Sequence, residues 1–362
     1  MTRTVKSSQN RIRIKDIAEM SGVSIGTVDR VLHNRGEVNR DTYDRVMTYV
    51  KKLGYTPNLL AKSLALKKNF TIATLIPDAG ENNPYWEKPL AGISRARAEL
   101  KDFNTKISVY NYDAGKEKSF IRQFDAVLAE IPDGIVLAPH FQHVAADFLN
   151  RCAVLQIPVI LIDTDLEHCS RLSYFGQDAW QSGEVAARLM HYSLPAGSKL
   201  LVLKLAWNKA FTRHLQLREK GFLNYFKKNV RSGMHTLSME IDLSREGEPD
   251  LTLQAVLTSG ENVGGIFVTN SRIHKVVQYI SKIGGKKIFL IGYDLTAENL
   301  WCLRKGLIDF LICQKPEEQG YNSTMAMFNY LLNRKTMVKI NYSPIDIIVK
   351  ENVEFYLNTS NL

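Results

Sequence analysis

Seven short apolar runs in this chain each give way to polar residues that could do chemistry. TIATLIPD is followed by NNPYW, KISVYNYD ends in Tyr-Asp, and DGIVLAP leads into His140. PVILIDTD ends in Asp-Thr-Asp, and KLLVLKLA leads into Trp207 and Asn208. GGIFVTN ends on Asn270 and KIFLIGYD on Asp294. Any one of these Asp or Asn residues could simply cap the next helix. Seven polar ends converging on one side of a sheet make a binding crevice instead. Nucleophilic or redox chemistry finds no pattern here: there is no nucleophile elbow, phosphate loop, zinc spacing or GxGxxG. His140 and His143 stand near one strand end without a partner motif. Cys152, Cys169, Cys302 and Cys313 form no CxxC pair and are expected as reduced, mostly buried thiols. A binding protein without metal or cofactor is therefore expected, rather than an enzyme.

The elements that hold these ends are strands alternating with helical stretches. Continuous Val/Ile/Leu-rich runs of this kind are parallel strands covered on both faces. Seven of them fit two doubly wound halves better than one, and such sheets bind ligands beyond the carboxyl ends of their strands. The length of 362 residues fits two or three domains. Hydrophobic residues make up 45% of the chain and charged residues 23%, the balance of a globular protein. The start, MTRTVKSSQNRIRIKD, lacks an apolar signal core, and no apolar run is long enough for a membrane span. A cytoplasmic, nucleoid-associated protein with no membrane partner is expected.

Charge separates the first fifth of the chain from the rest. Residues 1–70 carry 14 Lys/Arg against 6 Asp/Glu, while the remaining residues carry 33 against 31. A basic end on a near-neutral body suits a polyanion. Residues 1–13 are polar and basic, and are expected to be disordered. IKDIAEMSG then has helical spacing and stops at Gly22. Ser24 is a good cap for a second helix, SIGTVDRVLHN, and Asn39 for a third that presents Val46, Met47, Val50 and Leu53 inward. Two short helices about a glycine turn predict a helix-turn-helix, whose second helix enters the major groove.

The run IKDIAEMSGVSIGTVDRVL, the ending KKLGYTPN and the segment LLAKSLA together resemble the lactose-repressor (LacI) family without a gap. The resemblance implies that Ile25, Gly26 and Arg30 face bases, that Ser24 and Thr27 face phosphates, and that Asn34 adds a further contact. It also implies a hinge helix after Pro57, over Asn58 to Ala65, that enters the minor groove beside a second copy. Asn58 opens that helix, Ala61 is small enough for close packing, and Leu64 stands at the family's wedge between central base steps. Arg30 is the residue able to take both acceptors of a guanine. Two departures stand out: Gly26 has no side chain to read a base, and Asp29 replaces the usual Ser near the phosphates.

The remainder resembles the periplasmic sugar-binding fold that this family carries behind its head, most closely the ribose and galactose types. By that resemblance Asn83, Tyr85 and Trp86 in NPYWEKPLAGISRARAEL lie at the ligand. So do Asp163 in PVILIDTD, Arg218 in FTRHLQLREKGF, Asn270 in FVTNSR, Asp294 in LIGYD and Gln314 in CQKP. Aromatic rings pack on the C–H faces of a sugar, while carboxylates, amides and Arg pair its hydroxyls. Trp180 and Trp207 are further candidates for the aromatic wall, and Asp178 is expected to cap the helix near Trp180. Thr164 stands where the ribose type has Arg, and Ser271 where Asp is usual, so ribose itself is not implied.

The expected organisation is a helix-turn-helix at 14–56, a hinge and linker at 57–68, and an effector domain at 69–357. Crossings between its halves are placed near 165–172, 292–296 and 318–322. One half is then 70–168 plus about 294–319, and the other 170–292 plus about 321–357. The expected partners are a pseudo-palindromic operator, a monosaccharide-like effector and a second copy of the chain. Residues 356–362 hold no leucine heptad, so a dimer is expected over a tetramer. A transport-type binding protein shares the body without the head. The sign of regulation, release or recruitment by the effector, stays open.

Overall fold

The computed structural model describes residues 12–33, 36–53, 68–80, 83–207, 212–230, 233–245, 247–258, 263–283 and 287–359. The chain divides into two compact units, Met1–Lys67 and Lys68–Leu362.

In the first unit, α1 spans Ile14–Ser21, α2 Ile25–His33 and α3 Arg40–Lys52. The carboxylate of Asp16 accepts from the N–H of Arg13 at 2.7 Å, and Gly22 closes α1 at φ 65°, a conformation cheap only for glycine. The Asn39 side chain caps α3 by accepting from the N–H of Asp41 at 2.9 Å. Ile17, Ala18, Val28, Val31 and Val46 form the core, with Ile12, Met47, Val50 and Leu53 packed around it. Ile12 and Arg13 thus belong to the folded head rather than to a disordered tail. On α1 it is Ser21 that is buried, its hydroxyl held by the carbonyl of Ile17, while Met20 is half exposed. The expected hinge helix lies outside the described residues.

The second unit holds two six-stranded sheets. β1 is Phe70–Pro77, β2 Thr105–Tyr112, β3 Gly134–Leu137, β4 Val159–Ile162, β5 Ser173–Gly176 and β6 Lys199–Ala206. β7 is His235–Asp242, β8 Val263–Val268, β9 Phe289–Tyr293, β10 Phe310–Cys313, β11 Ile340–Tyr342 and β12 Asp346–Ile348. The orders are β2-β1-β3-β4-β5-β11 and β7-β6-β8-β9-β10-β12. Every pairing is parallel except β12 on β10. All seven expected runs are strands, and both sheets are doubly wound.

The crossings differ from those expected. β5 stays in the first sheet, so the chain first crosses after Gly176 rather than near 165–172. β9 and β10 both lie in the second sheet, so the return comes after Cys313 rather than near 292–296. The helix Pro316–Asn333 packs on the first sheet, and β11 and β12 lie in different sheets. The last crossing therefore falls between Tyr342 and Asp346 rather than near 318–322. The physical reason is strand length and polarity. SYFG holds only two apolar residues between a Ser and a Gly, FLIC was not counted among the apolar runs, and the three-residue β11 and β12 are edge strands.

Each half also pairs two helices through glycine. Helix Ala179–Ser193 lies against helix Arg213–Lys228, and a Cβ on Gly183 would sit 2.0 Å from the carbonyl oxygen of Arg218. A Cβ on Gly221 would sit 2.1 Å from that of Trp180. The bare backbone at both positions is what brings Arg218 to its place above the second sheet.

Candidate functional site

The carboxyl ends of both sheets open into one cavity of about 320 Å³. The first half supplies Asn83, Tyr85 and Trp86 from the turn after β1, and Asp163 after β4. The second half supplies Asn270 after β8, Asp294 after β9, Gln314 after β10, and Arg218 from its helix. These eight residues, expected from the sequence at the ligand, therefore line the same space.

Asp163 and Asp294 hold matching positions in the two sheets. Both take positive φ, 64° and 63°, at the first turn after their strands. Such a backbone costs a residue with a Cβ about 1–3 kcal/mol and clusters at ligand sites. Tyr85 donates its hydroxyl to Asp163 Oδ1 at 2.9 Å, and Thr164 donates to Oδ2 at 3.2 Å. Burial raises the Asp163 pKa, opposed by Arg218 and by the Tyr85 bond. Asp294 accepts from the Gln314 amide at 3.1 Å. Burial pushes its carboxyl up to about 7, against the lowering pull of Arg218 and Gln314.

Arg218 is fully buried and stacked 3.6 Å above the Tyr293 ring. It donates to the carbonyl of Thr269 at 2.9 Å and to Gln314 Oε1 at 3.2 Å. Among the described residues, Arg218 Nε and Asp294 Oδ1 find no partner. Each such buried atom costs about 1–3 kcal/mol unless something bonds it. A hydroxyl, donor and acceptor at once, suits both. Asn270 is already committed, donating to the carbonyl of Leu205 and accepting from the N–H of Arg272.

The two halves touch across the cavity. Arg272 donates to Asn83 Oδ1 at 3.3 Å, Arg213 pairs with Glu167 at 2.7 Å, and His214 meets Thr164 at 2.6 Å. These contacts join the two halves beside the cavity.

Further residues line the cavity: Asp78, Asp113 and His140 were noted only as strand-end residues, Trp207 as a candidate for the aromatic wall, and His214 and Arg272 were not singled out. Most follow a strand, so the strand-end pattern already held their signal. His140 is neutral, its pKa driven down to about 3 chiefly by burial. Trp207 lines the cavity, but Trp180 does not; its backbone lies under Gly221 in the helix pair. Asp178 caps its helix, accepting from the N–H of Gln181 at 2.9 Å. His143 is surface-exposed and pairs with Glu117.

In the head, Ser24, Ile25, Gly26 and Arg30 are exposed and Thr27 half-buried. Ser24 accepts from the N–H of Thr27 at 3.1 Å, and the two hydroxyls meet at 2.9 Å. Arg30 folds back onto the carbonyl of Gly26 and the hydroxyl of Thr27, both at 3.4 Å. Bonds that long hold the guanidinium only weakly. Ile25 is 53% exposed, a large apolar side chain at the surface of α2. Asn34, Asn58, Ala61 and Leu64 lie outside the described residues.

Two family models match the chain. Residues 13–58 fit the bacterial regulatory proteins of the lacI family, and residues 72–335 fit the periplasmic binding protein domain. The chain belongs to the lacI family, with a periplasmic-binding-protein body. RegA of Clostridium acetobutylicum, an HTH-type transcriptional regulator, is 34% identical over 42% of the chain and 43% of its own length. The chain thus spans less than half the length of such relatives. The ribose operon repressor of Lactococcus lactis is 26% identical over 78% of the chain and 80% of its own length. A solved structure from Bacteroides fragilis, described as a LacI transcriptional regulator, is 31% identical. It covers 80% of the chain and 100% of itself, with a TM-score of 0.74. GanP, a glucose-galactose binding protein of Geobacillus stearothermophilus, shares the fold at 21% identity and a TM-score of 0.69. It covers 79% of this lacI-family chain and 99% of itself. Among the described residues of the lacI-family chain, no helix is long and apolar enough to cross a membrane, and no metal-binding cluster occurs.

Proposed function

We propose that this lacI-family protein is a transcriptional repressor whose grip on its operator is set by a monosaccharide-like effector held in the body cavity. One observation carries the reading. The same chain has exposed Ser24, Ile25, Gly26 and Arg30 on the second helix of its basic head and, in its body, a cavity in which Arg218 Nε and Asp294 Oδ1 lack a partner. Ser24 and Thr27 are assigned to phosphates and Ile25, Gly26 and Arg30 to bases. Asn34 is assigned to a further DNA contact, and Asn58, Ala61 and Leu64 to the hinge helix and the minor groove. Asn83, Tyr85, Trp86, Asp163, Arg218, Asn270, Asp294 and Gln314 are assigned to the effector.

The reading extends to a homodimer acting in the cytoplasm on a pseudo-palindromic site. A two-state cleft biased by ligand supplies the coupling. The preferred sign is release of DNA on effector binding. A corepressor or activator shares every residue above and reverses only that sign. Two substitutions separate the two activities. Leu64→Ala is expected to weaken operator binding and leave sugar affinity at its original value, read by gel shift and calorimetry. Arg218→Ala is expected to cut sugar affinity about tenfold to a hundredfold with operator binding retained. Loss of both activities together in either variant contradicts the assignment.

A further inference from the structure

His214 begins the helix Arg213–Lys228 in the second half, yet its ring reaches the first half. Its Nδ1 lies 2.6 Å from Thr164 Oγ1, 3.0 Å from Thr212 Oγ1 and 3.5 Å from Asp163 Oδ2. Thr164 has one hydroxyl proton, and Asp163 Oδ2 is the acceptor that takes it. The short contact then needs its proton from the imidazole, so Nδ1 carries the hydrogen. A relay results, from His214 Nδ1–H to Thr164 and from the Thr164 hydroxyl to Asp163. The ring is neutral, held well below the usual imidazole range by burial first and by Arg218 and Arg272 after it. A neutral ring protonated at Nδ1 leaves Nε2 as an acceptor. Its neighbour is the Thr212 hydroxyl at a long 3.3 Å, and His214 lines the cavity beside Asp163.

We propose that His214 is a specificity-determining residue of the effector site. Its Nε2 accepts a ligand hydroxyl next to the hydroxyl bonded by Asp163, while its Nδ1 ties that reading to closure of the two halves. This rests on the cavity being a site for a polyhydroxyl ligand. Bond and bridge reside in one ring, so a sugar that lacks the hydroxyl loses both a partner and part of the closed geometry. A site built to bond a hydroxyl discriminates against the deoxy analogue, because its acceptor is then left with only the long Thr212 contact.

Amide replacements separate the two ring nitrogens. An Asn amide N–H overlays Nδ1–H and keeps the link to Thr164 without an acceptor at Nε2. A Gln amide reaches the Nε2 position. Calorimetry on the full chain uses D-ribose, D-arabinose, D-glucose and D-galactose, then the monodeoxy analogues of the sugar that binds best. The expected result is that one deoxy analogue binds wild type about tenfold more weakly than its parent. In His214→Asn the parent falls by about the same factor, and the deoxy analogue loses nothing further. His214→Gln restores most of the parent's affinity. Thermal midpoints without sugar monitor folding of both variants, and His214→Ala repeats the cycle if either is destabilised. Equal, additive losses for parent and deoxy sugar in every variant overturn the role of His214 while leaving the sugar site standing. Absence of binding by any of the four sugars to wild type overturns the sugar site itself, and the proposal with it.

Discussion

Asp294 is buried between the Gln314 amide and an unpartnered side of its own carboxylate, with a pKa near 7. An acid whose folded pKa lies above its unfolded value near 3.8 binds more protons folded than unfolded between those two values. Its contribution to stability is therefore present at low pH and lost as pH rises through about 7. Melting of the ligand-free protein from pH 5 to 8 is expected to show that decline, and Asp294→Asn to flatten it. A slope unchanged by the substitution contradicts the assignment. A sugar hydroxyl bonds the ionised form more strongly, so sugar affinity is expected to rise over the same interval. In the head, Arg30→Ala is expected to cost about 1–3 kcal/mol of operator binding and to relax preference at one base pair, read by binding to single-base operator variants. A uniform loss across all variants would instead place Arg30 on a phosphate.

At the scale of elements, glycine contacts decide where Arg218 stands. Gly183→Ala drives a Cβ to 2.0 Å from the Arg218 carbonyl oxygen, so the two helices must part. The expected cost is about 1–3 kcal/mol of stability, with a fall in sugar affinity as Arg218 moves away from Gln314 and Tyr293. A variant as stable as wild type, binding sugar equally well, contradicts this account of the helix pair. The same scale shows what was legible in the sequence. The seven strands stood out because each holds a Val/Ile/Leu-rich run beside turn residues, and the polar residues after them sit where the strand ends place them. β7 was not legible because it is an edge strand with most of its side chains solvent-facing. β5 was hidden by the Ser and Gly at its ends, and β10 was not counted among the runs, which misplaced the crossings. His214 was hidden because it follows a helix start rather than a strand, and its reach to Thr164 depends on how the two halves meet.

For the whole molecule, the charge division and the fold assign different work to the two units. The excess of Lys and Arg in residues 1–70 predicts DNA binding that weakens steeply with salt, one counterion term for each phosphate met. The near-neutral body predicts sugar binding with little salt dependence, since Asp163, Arg218 and Asp294 are buried. The resemblance of the head was legible over its full length from residue types alone, because helix caps and a glycine turn are local. The joining of the two halves beside the cavity was not, because it depends on contacts such as Arg272 with Asn83 that lie far apart in sequence. The most direct test of the central claim is fluorescence anisotropy of the full protein on genomic fragments, titrated across salt, with and without a panel of monosaccharides. The account predicts salt-sensitive binding to a pseudo-palindromic fragment that one sugar weakens at least fivefold. Binding that no sugar alters, or no salt-sensitive binding to any fragment, would contradict it.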